Sequence, residues 1–406
     1  MPAQFHLHRL PNGLTILAEC DPAAHTAAVG FFVRTGARDE QKPVMGVSHF
    51  LEHMMFKGTA RRSADDVNRE FDEMGANYNA YTSHENTVYY AHVLPEFLPR
   101  AVDLLGDMLR PALREEDFTV EKKVILEEIG MYNDRPQWRL QDALIEEYFG
   151  AHPLGYRVLG TVESITALEV GQMRDYFLHR YSPGNITVAA AGNIDFDKLV
   201  ADVNRAAGHW SPVNAPRDHG IVTPAQRSIN LTDAKLNRHY LALLCPGPSA
   251  QDHRRYAARI LADVLGDNEG SRLYWALVDP GLADEAEFSF MPQDRDGCYL
   301  AYASCDPARA EQVEKTLLET IDKLASSIDP LEIERAKNKV ATGATLQGES
   351  PMGRMRGLGS QWTYLEQYTP LEQELERIMA VTPGDLASLL REQPLSPRTI
   401  VRLGPA

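Results

Sequence analysis

The 406-residue chain carries 41 Lys and Arg against 57 Asp and Glu, a formal charge of −16. With 44% hydrophobic and 24% charged residues it has a globular composition, which excludes a disordered or fibrous chain, and at about 150 residues per domain its length suggests two or three domains. The acidic balance argues against a nucleic-acid backbone as partner, and no apolar run approaches the ~18–20 residues of a membrane span.

Residues 1–8 show no basic segment followed by an apolar one, so neither a secretory signal nor a transit peptide is expected. The four cysteines, Cys20, Cys245, Cys298 and Cys305, are scattered, as in a reduced cytoplasmic protein. A Cys298–Cys305 disulfide stays open at this stage. Asn12-Gly13, set between residues 5–10 and 14–18, predicts a β-hairpin. Residues 27–35 read as a strand, 44–57 as a helix, and Ser63 as the N-cap of another helix. Tyr, Thr and Val over 78–93 predict two strands broken near 83–86. Helices are expected at 96–109 and 115–132, with Pro136 stopping the second, then a helix at 168–181 and a strand at 186–191. Residues 211–226 hold three prolines and little periodicity, and read as a linker. After it strands and helices restart in similar order, with strands near 228–231, 240–244, 285–290, 299–303 and 399–402. The expected fold is α+β: two similar α/β-sandwich domains, 1–211 and 227–406, joined by a linker at 212–226.

The chemistry is concentrated in Gly46-Val-Ser-His49-Phe-Leu-Glu52-His53, an H-x-x-E-H pattern. On a helix, i and i+4 share a face, so His49 and His53 can present imidazoles to one point. Glu52, three residues after His49, falls on the same side. Imidazole nitrogens suit Zn²⁺, and a carboxylate beside them can deprotonate a water for metal-assisted hydrolysis. A catalytic zinc usually takes three protein ligands, so one more is needed. Glu121 and Glu128, two helical turns apart, share a stripe that includes Val124 and Ile125; Glu127 points away. A carboxylate on a buried stripe needs a partner such as a metal, although a solvated helix face is the alternative for this segment.

Together these residues make the chain resemble the pitrilysin-type (M16) zinc metallopeptidases, in which a Glu follows the second His of H-x-x-E-H by some 75 residues, as Glu128 follows His53. Gly36-Ala-Arg-Asp-Glu40, Phe56-Lys-Gly-Thr59, Asn79-Ala-Tyr-Thr-Ser83 and Tyr181-x-Pro-x-Asn185 also stand where family members carry similar residues. The resemblance implies that His49, His53 and Glu128 bind one Zn²⁺ per chain. It makes Glu52 the general base and Glu121 a residue orienting a ligand. It places Asn79, Ala80 and Tyr81 on an edge strand where an extended peptide adds by main-chain hydrogen bonds. It further implies a zinc-dependent endopeptidase acting on unfolded or extended peptides, in a chamber enclosed by the four domains of a dimer.

One departure bears on that assembly. Active family members carry an Arg and a Tyr in the second domain, in a stretch like L-R-E-x-x-G-L-A-Y. Here Val278 and Asp284 stand at those places, with the spacing one residue short. Neither can donate to a peptide carbonyl in the same way. The resemblance then favours the zinc-bearing subunit of a heterodimer, whose M16-like partner supplies the pair. A homodimer with an altered substrate-binding pair and a non-catalytic scaffold subunit are the alternatives.

Overall fold

The computed structural model describes residues 3–405. Its elements run β1 (Gln4–Arg9), β2 (Thr15–Cys20), β3 (Ala27–Val33), α1 (Val47–Met55), α2 (Ala64–Glu73), β4 (Asn77–Thr82), β5 (Thr87–Val93), α3 (Leu98–Met108) and α4 (Glu115–Asn133). There follow α5 (Pro136–Phe149), α6 (Val162–Ala167), α7 (Val170–Arg180), β6 (Ile186–Gly192) and α8 (Phe196–Ala207). The second half holds β7 (Arg227–Thr232), β8 (His239–Pro246), α9 (Arg255–Gly266), β9 (Glu285–Gln293), β10 (Asp296–Cys305), α10 (Ala310–Lys323) and α11 (Pro330–Gly348). It ends with α12 (Pro351–Leu365), α13 (Leu371–Met379), α14 (Pro383–Glu392) and β11 (Thr399–Gly404).

The strands form two sheets, ordered β1-β2-β6-β3-β5-β4 and β7-β11-β8-β10-β9. Set β1 aside and the two orders coincide, with β2, β3, β4, β5 and β6 matching β7, β8, β9, β10 and β11. The pairing sense coincides too. The β2–β6 and β7–β11 pairs are parallel, and every other corresponding pair is antiparallel. The expected repeat of one α/β unit is therefore present at the level of strand topology. The strand β3 is buried along its whole length, because both faces of its sheet are covered. One face packs on α1, α3 and α8 through Phe50, Leu104 and Val203, the other on Met355, Leu358 and Trp362 of α12.

The compact units do not follow chain order. One comprises Met1–Gly130, Tyr156–Asp218 and Leu346–Tyr368; the other comprises Met131–Gly155, His219–Thr345 and Thr369–Ala406. This differs from a simple split into 1–211 and 227–406. The reason lies in two helices. Leu140, Leu144 and Tyr148 of α5 are buried with Ala242, Leu244 and Val401 of the second sheet. In the matching position, α12 covers the first sheet. Helix α4 does end at Asn133, before Pro136, and Pro136 also opens α5, where its missing N–H costs nothing.

The proline-rich stretch has no regular structure, yet its first half is fastened to the first unit. Arg180 donates to the Ala215 and Pro216 carbonyls at 3.3 and 2.9 Å, and Arg217 reaches Asp39 at 2.8 Å. The open disulfide question is closed by geometry. Cys298 and Cys305 lie on one strand, and seven steps of about 3.3 Å hold them far beyond bridging distance. None of the four cysteines forms a disulfide. Among the described residues no helix is long and apolar enough to cross a membrane.

Candidate metal centre

The helix α1 starts at Gly46, whose φ of +93° is left-handed, a conformation only glycine adopts cheaply. A Cβ there would also stand 2.6 Å from the Leu159 carbonyl oxygen. From that start Val47, Phe50, Leu51, Met54 and Met55 turn into the core. The remaining stripe carries His49, Glu52 and His53. Across from it, α4 buries Phe118, Glu121, Ile125 and Ile129, and half-buries Glu128. Val124, expected on this stripe, is 42% exposed, because it stands a further 100° round the helix from Ile125. Glu127 is exposed, as expected.

His49, His53 and Glu128 each offer one ligand atom, and these atoms lie within 4.8 Å of one another. Glu128 Oε2 stands 3.9 Å from His49 Nε2 and 3.6 Å from His53 Nε2. Ligands at about 2.0–2.2 Å from a tetrahedral Zn²⁺ sit roughly 3.3–3.6 Å apart, so this set fits the ion with little adjustment. The donor chemistry fits as well, being two imidazoles and one carboxylate. Burial, with the His53 charge, pushes His49 down to about 3, which keeps the imidazole neutral.

Glu121 is 4% exposed and accepts from His53 Nδ1 at 2.9 Å. That bond leaves Nε2 of His53 as the free acceptor on the metal side. The other oxygen of Glu121 pairs with Lys57 Nζ at 2.5 Å. Burial pushes the Glu121 carboxyl up, but the His53 and Lys57 contacts outweigh it and hold the group below its usual range. Burial likewise opposes charge on His53. The Glu121 hydrogen bond and the Glu128, Glu52 and Glu121 charges override it and lift His53 above the ordinary histidine value of about 6.5.

These opposed shifts make a testable pattern. If zinc binds this cluster, protons compete with it for His53 Nε2, so zinc affinity should fall as pH drops, beginning above the ordinary histidine value. Glu121→Gln should weaken zinc about 10–100-fold at pH 8 and move that fall to lower pH, because His53 loses its strongest acceptor. Chelator competition across pH measures both.

Glu52 is set beside the ligand cluster and accepts from Thr82 Oγ1 at 2.6 Å. Burial raises its carboxyl; the Thr82 hydrogen bond and the His53 charge pull it back only in part. A carboxylate raised toward the working pH suits a general base. Thr82 ends β4, the edge strand of the first sheet. Ala80 of that strand is buried, whereas Asn79 and Tyr81 are exposed, and Asn79 Oδ1 accepts from the Ala80 N–H at 2.8 Å. The structure thus gathers His49, Glu52, His53, Glu121 and Glu128, and sets residues 79–81 on the strand whose Thr82 contacts Glu52. Lys57 and Thr82 take part without having been singled out for a role. Both lie within motifs of the N-terminal half, and Thr82 stands two residues beyond Ala80, on the same face of the strand.

The places of the expected Arg and Tyr have other occupations. Val278 ends a π-helical turn, Tyr274–Val278, and packs on the apolar core of its unit. Asp284 accepts a hydrogen bond from Arg238.

Two α/β units of matching strand order, with a His-His-Glu cluster on one of them, find counterparts among known proteins. Residues 15–162 match the family model "Insulinase (Peptidase family M16)", and residues 167–340 match "Peptidase M16 inactive domain". A Mycobacterium tuberculosis protein described as an uncharacterized zinc protease is 35% identical over 94% of this chain and 89% of its own. The uncharacterized zinc protease YmxG of Bacillus subtilis is 32% identical over 94% of this chain and 93% of its own. The chain belongs to the M16 peptidase family. Solved structures agree on the fold. A protease from Helicobacter pylori superposes with a TM-score of 0.92 at 21% identity, covering 99% of this chain and 100% of that one. A chain of complex III2 from Candida albicans gives 0.87 at 19% identity, covering 98% and 95%.

Proposed function

We propose that the chain is a zinc-dependent endopeptidase that cleaves extended peptides laid along β4. The observation that carries this reading is the convergence of His49, His53 and Glu128 beside Glu52, with Glu52 tied to the edge strand through Thr82. His49, His53 and Glu128 would hold the zinc, which when bound supplies Lewis acidity toward a carbonyl and lowers the pKa of water to about 7. Glu52 takes a proton from the attacking water and returns it to the leaving amine nitrogen. Thr82 fixes the carboxylate that makes this transfer. The edge of β4 offers main-chain groups to an added strand, which gives affinity with little sequence demand. Glu121 and Lys57 hold His53 in register.

Val278 and Asp284 offer no donor equivalent to the Arg and Tyr of active relatives. We therefore extend the proposal to a cytoplasmic heterodimer: this chain bears the zinc, and a second M16-like subunit supplies the pair across a shared chamber. The persistence of all three ligands and Glu52 favours catalysis over a scaffold role. Purifying the chain alone and assaying it on an unstructured peptide tests the assembly. Weak cleavage, restored by the partner subunit, is expected, and full activity of the isolated chain would overturn the heterodimer.

A further inference from the structure

The turn Gly36-Ala37-Arg38-Asp39-Glu40 lies outside the ligand cluster but touches both arms that support it. Glu40 is 5% exposed. Its carboxyl oxygens accept from the Gly46 N–H and the Ser48 N–H, each at 2.7 Å. These are unpaired donors of the first turn of α1, so Glu40 is that helix's N-terminal cap, supplied from a neighbouring turn. The same turn grips the hairpin that follows Thr82. Ala37 and Arg38 donate their N–H groups to the Ser83 and His84 carbonyls at 3.2 and 2.8 Å. Arg38 meets the Glu85 carboxylate at 2.6 Å, with both side chains almost fully buried. Gly36 has no room for a side chain: a Cβ would lie 2.3 Å from the Ser83 carbonyl oxygen.

A buried polar chain closes the arrangement. Ser48 Oγ meets Tyr176 OH at 2.6 Å, and Tyr176 OH meets Thr35 Oγ1 at 2.7 Å. Arg180 donates to Thr35 Oγ1 at 3.1 Å and to Asp39 Oδ1 at 2.8 Å. Arg217 then binds Asp39 and the Glu85 carbonyl. One five-residue turn thus connects the helix that carries His49, Glu52 and His53 to the hairpin whose Thr82 holds Glu52.

We propose that Glu40 is a positioning residue for the proposed peptidase site: its carboxyl group fixes the first turn of α1, and through the same turn the Glu52–Thr82 contact, so that the base and the ligands keep one geometry. This rests on the peptidase reading for its kinetic consequence, not for its structural one. A buried, fully satisfied network of this kind favours one geometry over its neighbours. A misplacement of about 1 Å at reacting groups can cost on the order of 100-fold in rate.

The test compares Glu40→Gln and Tyr176→Phe with the unaltered full chain. An amide at residue 40 can accept from one N–H but turns its NH₂ on the other. Removing the Tyr176 hydroxyl cuts the Ser48 link while leaving Glu40 in place. Amide hydrogen exchange on the metal-free proteins should be faster over 46–55 in both variants and unchanged over α3. In cleavage of an unstructured peptide at saturating zinc, kcat should fall about 10–100-fold in Glu40→Gln and about 3–10-fold in Tyr176→Phe, with KM within about 2-fold. Unchanged exchange over 46–55, or faster exchange with unchanged kcat, would overturn the proposal. If Glu40→Gln does not fold, the Tyr176→Phe result decides. If the unaltered protein cleaves no peptide, the peptidase reading fails by itself. The exchange data and the chelator-measured zinc affinity then judge Glu40: expected is a weaker site in both variants, and equal affinity would overturn it.

Discussion

Glu52→Gln is expected to retain about one zinc per chain and to lose about 10²–10⁴-fold in kcat, the range general acid–base catalysis supplies. The substitution is nearly isosteric. Thr82 Oγ1, 2.6 Å from Glu52 Oε2 in the unaltered chain, can still donate to the amide oxygen. Glu52 is not in the ligand set of His49, His53 and Glu128, so metal binding should be largely preserved. What disappears is the ability to take a proton from water and return it to the amine. Loss should therefore fall on kcat and kcat/KM together, with KM little moved. Zinc analysis beside steady-state kinetics on an unstructured peptide reads both halves, and appreciable cleavage by the variant would show that the base lies elsewhere.

His49→Ala should have the opposite signature. Removing this imidazole leaves a two-residue set, His53 and Glu128. If about 10–16 kcal/mol of zinc binding is spread over four ligands, one ligand is worth about 3 kcal/mol, or roughly 10²-fold in affinity. Cleavage should disappear with the metal and return only in part at high zinc. The fold should survive, because the buried His49 Nδ1 makes no hydrogen bond that the substitution would break. Equal zinc content in His49→Ala and the unaltered chain would remove His49 from the ligand set.

The centre was legible in the sequence because its signal is short-range within each helix. The i, i+3, i+4 spacing of His49, Glu52 and His53 and the two-turn spacing of Glu121 and Glu128 each assign residues to one face. Bringing the two helices together needed the family resemblance, since no periodicity relates α1 to α4. The strands were legible from β-branched and aromatic runs and from Asn12-Gly13. Helix α5 was not, because a proline after a helix reads equally as a stop or as the first residue of the next. Helix α8 passed unread although Asp195 caps it and Leu199, Val203 and Ala207 recur every four residues. The placement of α5 and α12 in the compact units was beyond reach, because apolar faces such as Leu140, Leu144 and Tyr148 fit either sheet equally well in composition. Glu40 stood in a motif noted only for likeness; its contacts with Gly46 and Ser48 are tertiary.

The most direct measurement is metal analysis by atomic spectroscopy on the purified full chain, before and after a chelator, with cleavage of an unstructured peptide followed alongside. About one zinc per chain is expected, with cleavage lost on chelation and regained on zinc addition. A folded chain that binds no zinc, or whose cleavage is indifferent to chelation, would contradict the assignment of His49, His53 and Glu128 as the metal centre of a peptidase.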